Sequence, residues 1–565
     1  GKVTVFSTLP ERVVFYNNTG GVQGGVYVTD GSGGFEQILP RRPVELDGEG
    51  TMFVVLNNTI YFVADDGVNG QELWKSDGSV AGTMMVDENF FPGSGGSNPR
   101  DLTVFNNTLF FSANTTGGSP TGDVGRELFS TNGFTISLEA NIRSGNGDSS
   151  PEQLTVSGSN LYFTANDGSS GRELYAFASS TATQVEDIWS GGNGSDPQRL
   201  TDVNGVLYFS ADDGSDGREP YRSQGAAGNT FQIANIAPGL TSSNPANFTA
   251  ALGEVYFSAD DATSGIELWK TTGAEGNATL VADINPGGAD SDPVPRFDTG
   301  SRLLFTATSP TTTNQELWSV DQSATNLFQV RDLYPSDFFG SDPDEFVEIN
   351  DVIYFAASDA SSGRELFQLE QVAPVVSEVL VGGSGAPVAE VQRSSVDLVT
   401  LVFDGRVDVP ASAVQLVNSD TGTTITSVVV NLRFENDQTF VDLTFGVGPS
   451  VIERDAGSTT GLRNSLADGN YQLTILANQV SSPVSGEAMA NNFVFGADRA
   501  DQFFRLFGDV DGDRDVDPSD FAAFRSTYRS VQGANGYESE LDFLGDGTID
   551  AGDFAEFRRR LNRSI

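Results

Sequence analysis

Residues 197–222 read PQRLTDVNGVLYFSADDGSDGREPYR, and this stretch decides the fold of the first two-thirds of the chain. Apolar and polar residues alternate over Gln198–Val203, Val206–Ala211 and Arg218–Arg222, a pattern typical of half-buried β-strands. Asn-Gly and Asp-Gly pairs separate these runs and favour tight hairpin turns. A further run over Thr230–Ile236 completes a predicted unit of four short antiparallel strands.

This unit is one copy of a repeat. The second aromatic of a Tyr-Phe-like pair recurs every 46–52 residues, at Phe62, Phe111, Phe163, Phe209, Phe257, Phe305 and Phe355. A glutamate follows each Phe after 10–16 residues, at Glu72, Glu127, Glu173, Glu219, Glu267, Glu316 and Glu365. With a degenerate first copy around Val14–Tyr16, the chain holds eight copies that end near Leu369. Units of this length are typical of β-propeller blades, which bury their sheet faces on one another. We expect eight blades, or seven with end strands closing the ring.

The recurring acidic residues have two interpretations. Asp-rich hairpins such as Asp65-Asp66-Gly67 and Asp212-Asp213-Gly214 either form turns or bind calcium or sugar. The turn interpretation is favoured because these hairpins lack the ordered oxygen spacing of a calcium loop. A glutamate repeated in seven copies likewise indicates a structural role rather than carboxylate catalysis, which needs only two such groups.

One copy carries a recognisable motif, GQELWKSDGS at residues 70–79. It resembles the ELWxxDGT repeat of bacterial, notably planctomycete, surface proteins, and a looser match lies at residues 265–273, GIELWKTTG. The resemblance covers roughly residues 1–370. It implies a propeller in a secreted or cell-surface protein.

The period stops after Gln371, and a different pattern of strands begins. A β-sandwich is predicted by runs over Val375–Val381, Ser395–Phe403, Val414–Asn418, Ile425–Phe434, Thr439–Phe445 and Tyr471–Leu476. The segment Asp468–Leu473 is similar to the tyrosine corner of immunoglobulin-like domains. The resemblance to bacterial immunoglobulin-like domains implies a spacer or contact module.

The sharpest motif is near the C-terminus. Residues 509–520 read DVDGDRDVDPSD and residues 542–553 read DFLGDGTIDAGD, so two twelve-residue loops recur 33 residues apart. Each has a branched apolar residue at its eighth position and precedes a predicted helix with Phe residues three apart. Calcium prefers six to eight oxygen ligands, and such loops can wrap acidic side chains around one ion. The pattern therefore predicts two calcium sites.

The pair of loops resembles a type I dockerin, a module of two EF-hand-like loop–helix repeats. The resemblance implies calcium ligands at Asp509, Asp511, Asp513, Asp515, Asp517, Asp520, Asp542, Asp546, Thr548, Asp550 and Asp553, of which Asp515 and Thr548 would bind through their carbonyls. Two residues depart from the pattern. Arg514 stands at the sixth position, where Gly usually takes a positive φ, and Leu544 stands at the third position, where it offers no oxygen.

Composition excludes several kinds of chemistry. The 565 residues include no His and no Cys, which excludes a Ser-His-Asp triad, a thiol nucleophile and disulfides. The 77 acidic residues against 31 Lys and Arg give a formal net charge of −46, which repels nucleic acid and attracts cations. No apolar run reaches about 18 residues, so no membrane span is predicted. Residue 1 is Gly, and the expectation is a secreted chain whose leader has been removed.

These observations predict a mainly β protein in three parts: a propeller over residues 1–371, an immunoglobulin-like sandwich over 372–502 and a small helical dockerin-like module over 503–565. The favoured function is a non-enzymatic extracellular structural or adhesion protein that assembles with itself or another surface protein into a coat or appendage. The alternative is a carbohydrate-binding component docked to a cohesin-like scaffold, with polysaccharide as a further partner. A glycosidase or lyase is disfavoured because the repeats are too alike to build one active site.

Overall fold

The computed structural model describes residues 3–6, 12–17, 25–29, 34–40, 44, 53–91, 93–115, 122–309, 312–324, 327–331, 340–350, 352–359, 362–370, 373–382, 394–435, 438–453, 463–482, 488–501 and 503–565. The chain forms two compact units: Gly1–Trp318, Arg331–Pro343 and Ser358–Gly363 make the first, and Ser319–Val330, Asp344–Ala357 and Arg364–Ile565 make the second. The predicted boundaries after residues 371 and 502 adjoin Val372 and Gln502, which lie outside the described residues. The division into three parts stays a prediction.

Antiparallel sheets built from consecutive strands make up the described part of the first 370 residues. Within it, seven sheets of four strands and one of three follow one another, and in each the strands lie in chain order. The first four sheets contain β1 Val3–Phe6, β2 Arg12–Asn17, β3 Gly25–Thr29, β4 Glu36–Leu39, β5 Val54–Leu56, β6 Thr59–Asp65, β7 Gln71–Ser76, β8 Met84–Met85, β9 Arg100–Phe105, β10 Thr108–Asn114, β11 Arg126–Thr131, β12 Ile136–Ala140, β13 Glu152–Ser157, β14 Asn160–Asn166, β15 Arg172–Ala178 and β16 Thr181–Glu186.

The remaining sheets of the series contain β17 Gln198–Val203, β18 Val206–Asp212, β19 Arg218–Ser223, β20 Phe231–Gln232, β21 Ala246–Ala251, β22 Glu254–Asp260, β23 Ile266–Thr271, β24 Ala278–Ala282, β25 Val294–Asp298, β26 Arg302–Ser309, β27 Thr312–Asp321, β28 Phe328–Arg331, β29 Asp344–Ile349, β30 Val352–Asp359 and β31 Gly363–Glu370. Such a series is a propeller-like β fold, as the repeats predict. The number of blades stays a prediction.

The repeated aromatics form the cores of these sheets. All seven predicted Phe positions are buried, with six of them fully excluded from solvent. Residues of neighbouring sheets share clusters: Tyr61 of β6 lies in one cluster with Phe111 of β10 and Phe129 of β11. Rings of Phe90 and Phe129 meet edge to face at 5.1 Å. Each copy therefore buries apolar area that a single sheet would leave in water.

Six of the seven repeated glutamates are buried and bonded to a serine of the following copy. The Ser243 hydroxyl lies 2.6 Å from Glu219 Oε2, and the amides of Ile236 and Ala237 also donate to this carboxylate. The same Glu–Ser hydrogen bond joins Glu72 to Ser97, Glu127 to Ser149, Glu173 to Ser195, Glu267 to Ser291 and Glu316 to Ser341. Glu365 of the last copy is exposed. The fourth strand is shorter than predicted, at Phe231–Gln232, and the Ile236 amide beyond it donates to the Glu219 carboxylate.

The Asp-rich hairpins form turns. Asp65 Oδ1 accepts from the Gly67 amide at 2.6 Å, and Asp66 Oδ1 accepts from the amides of Val68 and Asn69 at 2.8 Å. Asp213 makes the same contacts to the amides of Ser215 and Asp216. These side-chain bonds to the backbone account for Asp at the hairpin tips.

The second unit contains two packed sheets. The first has the order β32 Val376–Gly382, β33 Leu398–Asp404, β37 Gln438–Phe445 and β36 Val428–Glu435; the second has the order β35 Thr423–Thr424, β34 Val414–Asn418, β40 Gly469–Ile475 and β41 Phe493–Phe495, with β42 Phe504–Arg505 paired to β40. A small pair, β38 Val451–Ile452 and β39 Ser465–Leu466, lies beside them. Leu401, Leu443 and Leu473 from the facing sheets share one buried core. The two sheets form a β-sandwich; its immunoglobulin-like character stays a prediction.

The C-terminal module (residues 503–565) holds both α-helices of the described residues, α1 Pro518–Thr527 and α2 Ala551–Arg560. Short 3₁₀ turns lie at Ala227–Asn229, Ala411–Ala413, Ala477–Gln479, Arg499–Asp501 and Ser539–Leu541. Phe524 and Phe557 pack with ring centroids 4.7 Å apart in the core of the module. In the described part of the chain, neither helix has the length and apolar character needed to cross a bilayer.

Candidate metal centre

Each helix of the C-terminal module begins at an aspartate of the loop before it. Asp517 caps α1 by accepting from the Ser519 amide at 2.6 Å, and Asp550 caps α2 by accepting from the Gly552 amide at 2.7 Å. Pro518 suits the first helical position because its fixed φ matches the helix and it has no amide hydrogen to satisfy. The residues at the ninth loop position thus fix both the loop and the helix start.

Loop 1 (residues 509–520) draws its carboxylates together. One carboxylate oxygen each from Asp509, Asp511 and Asp520 lies within 4.8 Å of the others, and the same holds for Asp515, Asp517 and Asp520. Asp509 and Asp520 are buried. Asp513 is exposed and accepts from the Asp515 amide at 3.1 Å. Of the loop 1 residues predicted as ligands, Asp513 alone is outside these groups.

Backbone amides hold the buried carboxylates in place. The Gly512 amide donates to Asp509 Oδ1 at 2.6 Å, and the Arg514 amide donates to Asp509 Oδ2 at 3.0 Å. Asp520 Oδ1 accepts from the Val510 amide at 2.7 Å, and its Oδ2 accepts from the Asp517 amide at 2.9 Å. The loop is therefore wound around its first and last aspartates.

The clustering is electrostatically costly without a cation. The pKa of Asp509 is raised to about 7, mainly by burial; the charges of Asp520 and Asp513 contribute in the same sense, and the amides of Arg514 and Gly512 act in the opposite sense. Burial and the same two carboxylates raise the pKa of Asp511. A divalent cation would remove this repulsion, and oxygen-only donors suit calcium. The donor set of loop 1 fits calcium.

Loop 2 (residues 542–553) has backbone hydrogen bonds to its first and last aspartates like those of loop 1, but it offers fewer oxygen ligands for a metal ion. The amides of Gly545 and Gly547 donate to Asp542 at 2.6 and 2.8 Å, and the Asp550 amide donates to Asp553 Oδ2 at 2.8 Å. Asp546 accepts from the amide and hydroxyl of Thr548. Among the described residues, no three acidic groups of this loop come within 4.8 Å of one another.

Leu544 explains the difference between the loops. It stands where loop 1 has Asp511, its side chain is 44% exposed, and only its amide reaches Asp553, at 3.1 Å. Tyr537, which the sequence did not single out, donates its hydroxyl to Asp542 Oδ2 at 2.8 Å. This tyrosine lies five residues before the loop, in a segment without a ligand pattern.

The two loop–helix repeats support each other across the module. Val516 and Ile549, at the eighth position of each loop, are fully buried. Val516 exchanges backbone hydrogen bonds with Asn562 and Arg563, which follow α2, and Ile549 exchanges them with Arg529 and Ser530, which follow α1. The residue after each helix therefore closes the loop of the other repeat.

Comparison with known families agrees with this geometry. Residues 507–562 match the dockerin type I domain model. Residues 507–562 form a dockerin type I domain. The match covers this module alone, and the predictions of a dockerin and of its two loop–helix repeats are confirmed. No curated protein matches the chain.

Solved structures with similar folds include peptidases. A puromycin hydrolase mutant is 15% identical, with 62% of this chain and 57% of that chain covered and a TM-score of 0.33. A prolyl endopeptidase is 12% identical, with 72% and 55% covered and a TM-score of 0.33. The β-propeller domain of the Trilobed protease from Pyrococcus furiosus is 10% identical, with 59% and 95% covered and a TM-score of 0.30.

These neighbours correct one expectation. The prediction of a non-enzyme is wrong as an inference from the repeated sheets, because folds of this kind also occur in peptidases and so do not exclude an enzyme. The chain covers little more than half of the first two neighbours, and likenesses at these identities and TM-scores carry no argument for an activity of this chain.

Proposed function

We propose that the dockerin module binds a cohesin-type domain of a scaffold protein in a calcium-dependent manner, and so attaches the rest of the chain to that scaffold. The observation that carries this proposal is the duplicated loop–helix unit with clustered carboxylates at Asp509, Asp511 and Asp520, in a region that matches the dockerin family. Cohesin docking was the alternative prediction from the sequence. It now replaces self-assembly as the favoured function.

The metal requirement follows from the loops. Asp509, Asp511, Asp513 and Asp520 would hold calcium in loop 1 through side chains, with Asp515 through its carbonyl and Asp517 directly or through water. Asp542, Asp546, Asp550 and Asp553, with the carbonyl of Thr548, would do so in loop 2. Calcium neutralises these carboxylates, and free energy of binding is then available for ordering the module.

The exposed faces of the helices suit an acidic partner. Arg525 on α1 and Arg558 and Arg559 on α2 are exposed, in a chain whose formal net charge is −46. These arginines would attract acidic groups of a partner locally, although residues 503–565 carry 13 acidic residues against 8 arginines. The helix faces are therefore the favourable point of contact once calcium neutralises the loop carboxylates.

The other parts of the chain would be the cargo of this attachment. We propose an eight-bladed ELWxxDGT-type propeller, supported by the eight successive sheets and the repeated Glu–Ser bonds, and an immunoglobulin-like sandwich. The sandwich proposal is supported by the Tyr471 hydroxyl, which donates to the Ala467 carbonyl at 2.6 Å as in a tyrosine corner. Docking of this kind places the chain outside the cell. Polysaccharide binding stays a prediction.

A binding experiment with the full chain tests the proposal. Immobilised type I cohesin domains are offered the chain in calcium and in excess chelator, and Asp509→Asn is compared with Glu378→Gln, an exposed sandwich residue with the same change of charge. We expect calcium-dependent capture that Asp509→Asn weakens and Glu378→Gln does not. Capture that persists in chelator would overturn the proposal. So would the absence of capture together with calcium-dependent assembly of the chain into filaments or sheets, which is the outcome of the coat hypothesis.

A further inference from the structure

Loop 1 lies directly against the sandwich. Ser394, a fully buried residue just before β33, donates its hydroxyl to the Asp509 carbonyl at 3.1 Å and accepts from the Gly508 amide at 3.0 Å. Its own carbonyl accepts from Arg505 Nε at 2.9 Å. Gly508 has a φ of +95°, and a Cβ there would lie 2.8 Å from the Phe557 ring. The entry to loop 1 is therefore fixed by a serine more than 100 residues earlier in the chain.

Arg514 makes a second contact to the sandwich. It has a φ of +76° at the sixth loop position, a conformation that favours glycine. Its side chain is buried, donates from Nη1 to Asn470 Oδ1 at 2.5 Å and lies over the Phe504 ring at 4.2 Å. Asn470 is held by Asp420, which accepts from its amide at 2.9 Å. An arginine at this position gives the loop a contact that glycine cannot make.

Loop 2 lacks these sandwich contacts among the described residues. Its sixth position is Gly547, with a φ of +82°, and its first ligand Asp542 is supported by Tyr537 from within the module. The two loops, alike in sequence period, therefore have different surroundings.

We propose that contacts from the sandwich stabilise the calcium-binding conformation of loop 1. Ser394 and Asn470 are the positioning residues, and they raise the calcium affinity of this loop by acting through Asp509 and Arg514. The converse follows by thermodynamic linkage, so calcium in loop 1 stabilises strand β40, which carries Asn470. This inference rests on the proposed function only in taking loop 1 as a calcium site. It does not depend on the partner.

The decisive variant is Arg514→Gly. If loop 1 acts alone, glycine relieves the positive φ and calcium binds as tightly as before or more tightly. If the sandwich supports the loop, Arg514→Gly and Asn470→Ala each weaken calcium binding to loop 1 by about tenfold, the size typical of residues that orient metal ligands. Tyr537→Phe is the matched control, because it removes the support of loop 2 and should leave the loop 1 affinity unchanged.

The measurements are calorimetric calcium titration of the full chain and amide hydrogen exchange of β40 with calcium or chelator. We expect calcium to slow exchange in Gly469–Ile475 of the parent chain and to do so much less in Arg514→Gly. The effect of calcium on hydrogen exchange is measured in the parent chain, so this test remains valid even if a variant fails to fold. The inference is overturned if β40 exchange ignores calcium, or if either sandwich-contact variant stays within twofold of the parental affinity. Cohesin capture is measured separately, so failure of the proposed function can be distinguished from failure of this inference.

Discussion

The Ser291 hydroxyl donates a 2.6 Å hydrogen bond to the buried carboxylate of Glu267, 24 residues earlier, and so joins one repeat to the next. The same carboxylate accepts from the Ile284 amide at 2.9 Å. Burying a carboxylate is costly unless donors satisfy it, and the serine is a donor that only the following copy can supply. The bond therefore makes each repeat depend on its neighbour.

Removal of one such serine should destabilise the sheets locally. Ser243→Ala leaves Glu219 with a missing donor in a buried site, and we expect a loss of about 1–3 kcal/mol in the free energy of unfolding. Urea unfolding followed by fluorescence measures it. Ser215→Ala is the control, since its hydroxyl bonds to Asp213 at an exposed turn and its loss should cost at most about 0.5 kcal/mol. Equal effects of the two variants would contradict a special role for the Glu–Ser bond.

The repeated glutamates also predict a pH dependence. Burial raises the pKa of Glu72 and Glu267 to about 7 and of Glu219 to about 6, against an ordinary 4.5, although bonds from serine and backbone amides act in the opposite sense. The folded chain then binds more protons than the unfolded chain between about pH 4.5 and 7, so stability falls as the pH rises through this range. We expect the unfolding midpoint to be higher at pH 5 than at pH 8.

Glu267→Gln distinguishes this cause from general charge repulsion. The variant removes one buried titrating carboxylate but only one of the many negative charges of the chain. If the buried glutamates set the pH dependence, the free energy of unfolding should depend noticeably less on pH in this variant. The depressed pKa values of Asp167, Asp213 and Asp261 do not interfere, because their contribution is lost only below the ordinary Asp pKa of 3.8. An unchanged slope in Glu267→Gln would count against the assignment.

The missing oxygen ligand at Leu544 predicts that a substitution at this position can raise the calcium affinity of loop 2. Leu544→Asp supplies the oxygen that loop 1 has at Asp511, and Leu544 is 44% exposed, so little apolar burial is lost. Because calcium affinity depends on ligand charge and number, we expect loop 2 to bind calcium tighter by roughly one order of magnitude. Calorimetric titration measures it, with Leu561→Asp, exposed and outside both loops, as the control. Equal affinities in the two variants would mean that the third position is not a ligand.

Periodic features of the fold were predictable from the sequence, and contacts between distant segments were not. The repeated Phe residues predicted buried strands because burial recurs with the repeat, and the aspartate spacing predicted loop 1. Strand β41 at Phe493–Phe495 was missed because three residues carry too little alternation. The bond of Arg514 to Asn470 was missed because no local pattern links residues 44 positions apart. From the sequence alone, Arg514 is only an arginine at a position that favours glycine. Its packing on the Phe504 ring gives it a structural role.

Asp468 joins the sandwich to the end of the C-terminal module. One of its carboxylate oxygens accepts from Arg505 Nη1 at 2.6 Å, and the other accepts from Arg560 Nε. The side chains of Arg505 and Asp468 are 0% and 8% exposed. Asp468→Asn would leave the buried Arg505 charge uncompensated, and we expect a loss of about 3–5 kcal/mol in the free energy of unfolding.

Glu556→Gln is the matched control for Asp468→Asn. Glu556 also pairs with Arg560, at 2.9 Å, but one helical turn away on α2, and an ion pair of this kind contributes at most about 1 kcal/mol.

The dependence of stability on acid pH provides a second measurement for Asp468. Burial raises the pKa of Asp468, but the charges of Arg505 and Arg560 lower it more, so it lies below the ordinary value. Its contribution is then complete above about pH 4 and is lost as the pH falls through the folded pKa. The acid limb of stability should therefore be shallower in Asp468→Asn than in the parent chain; identical limbs in the two proteins would show that Asp468 does not stabilise the module.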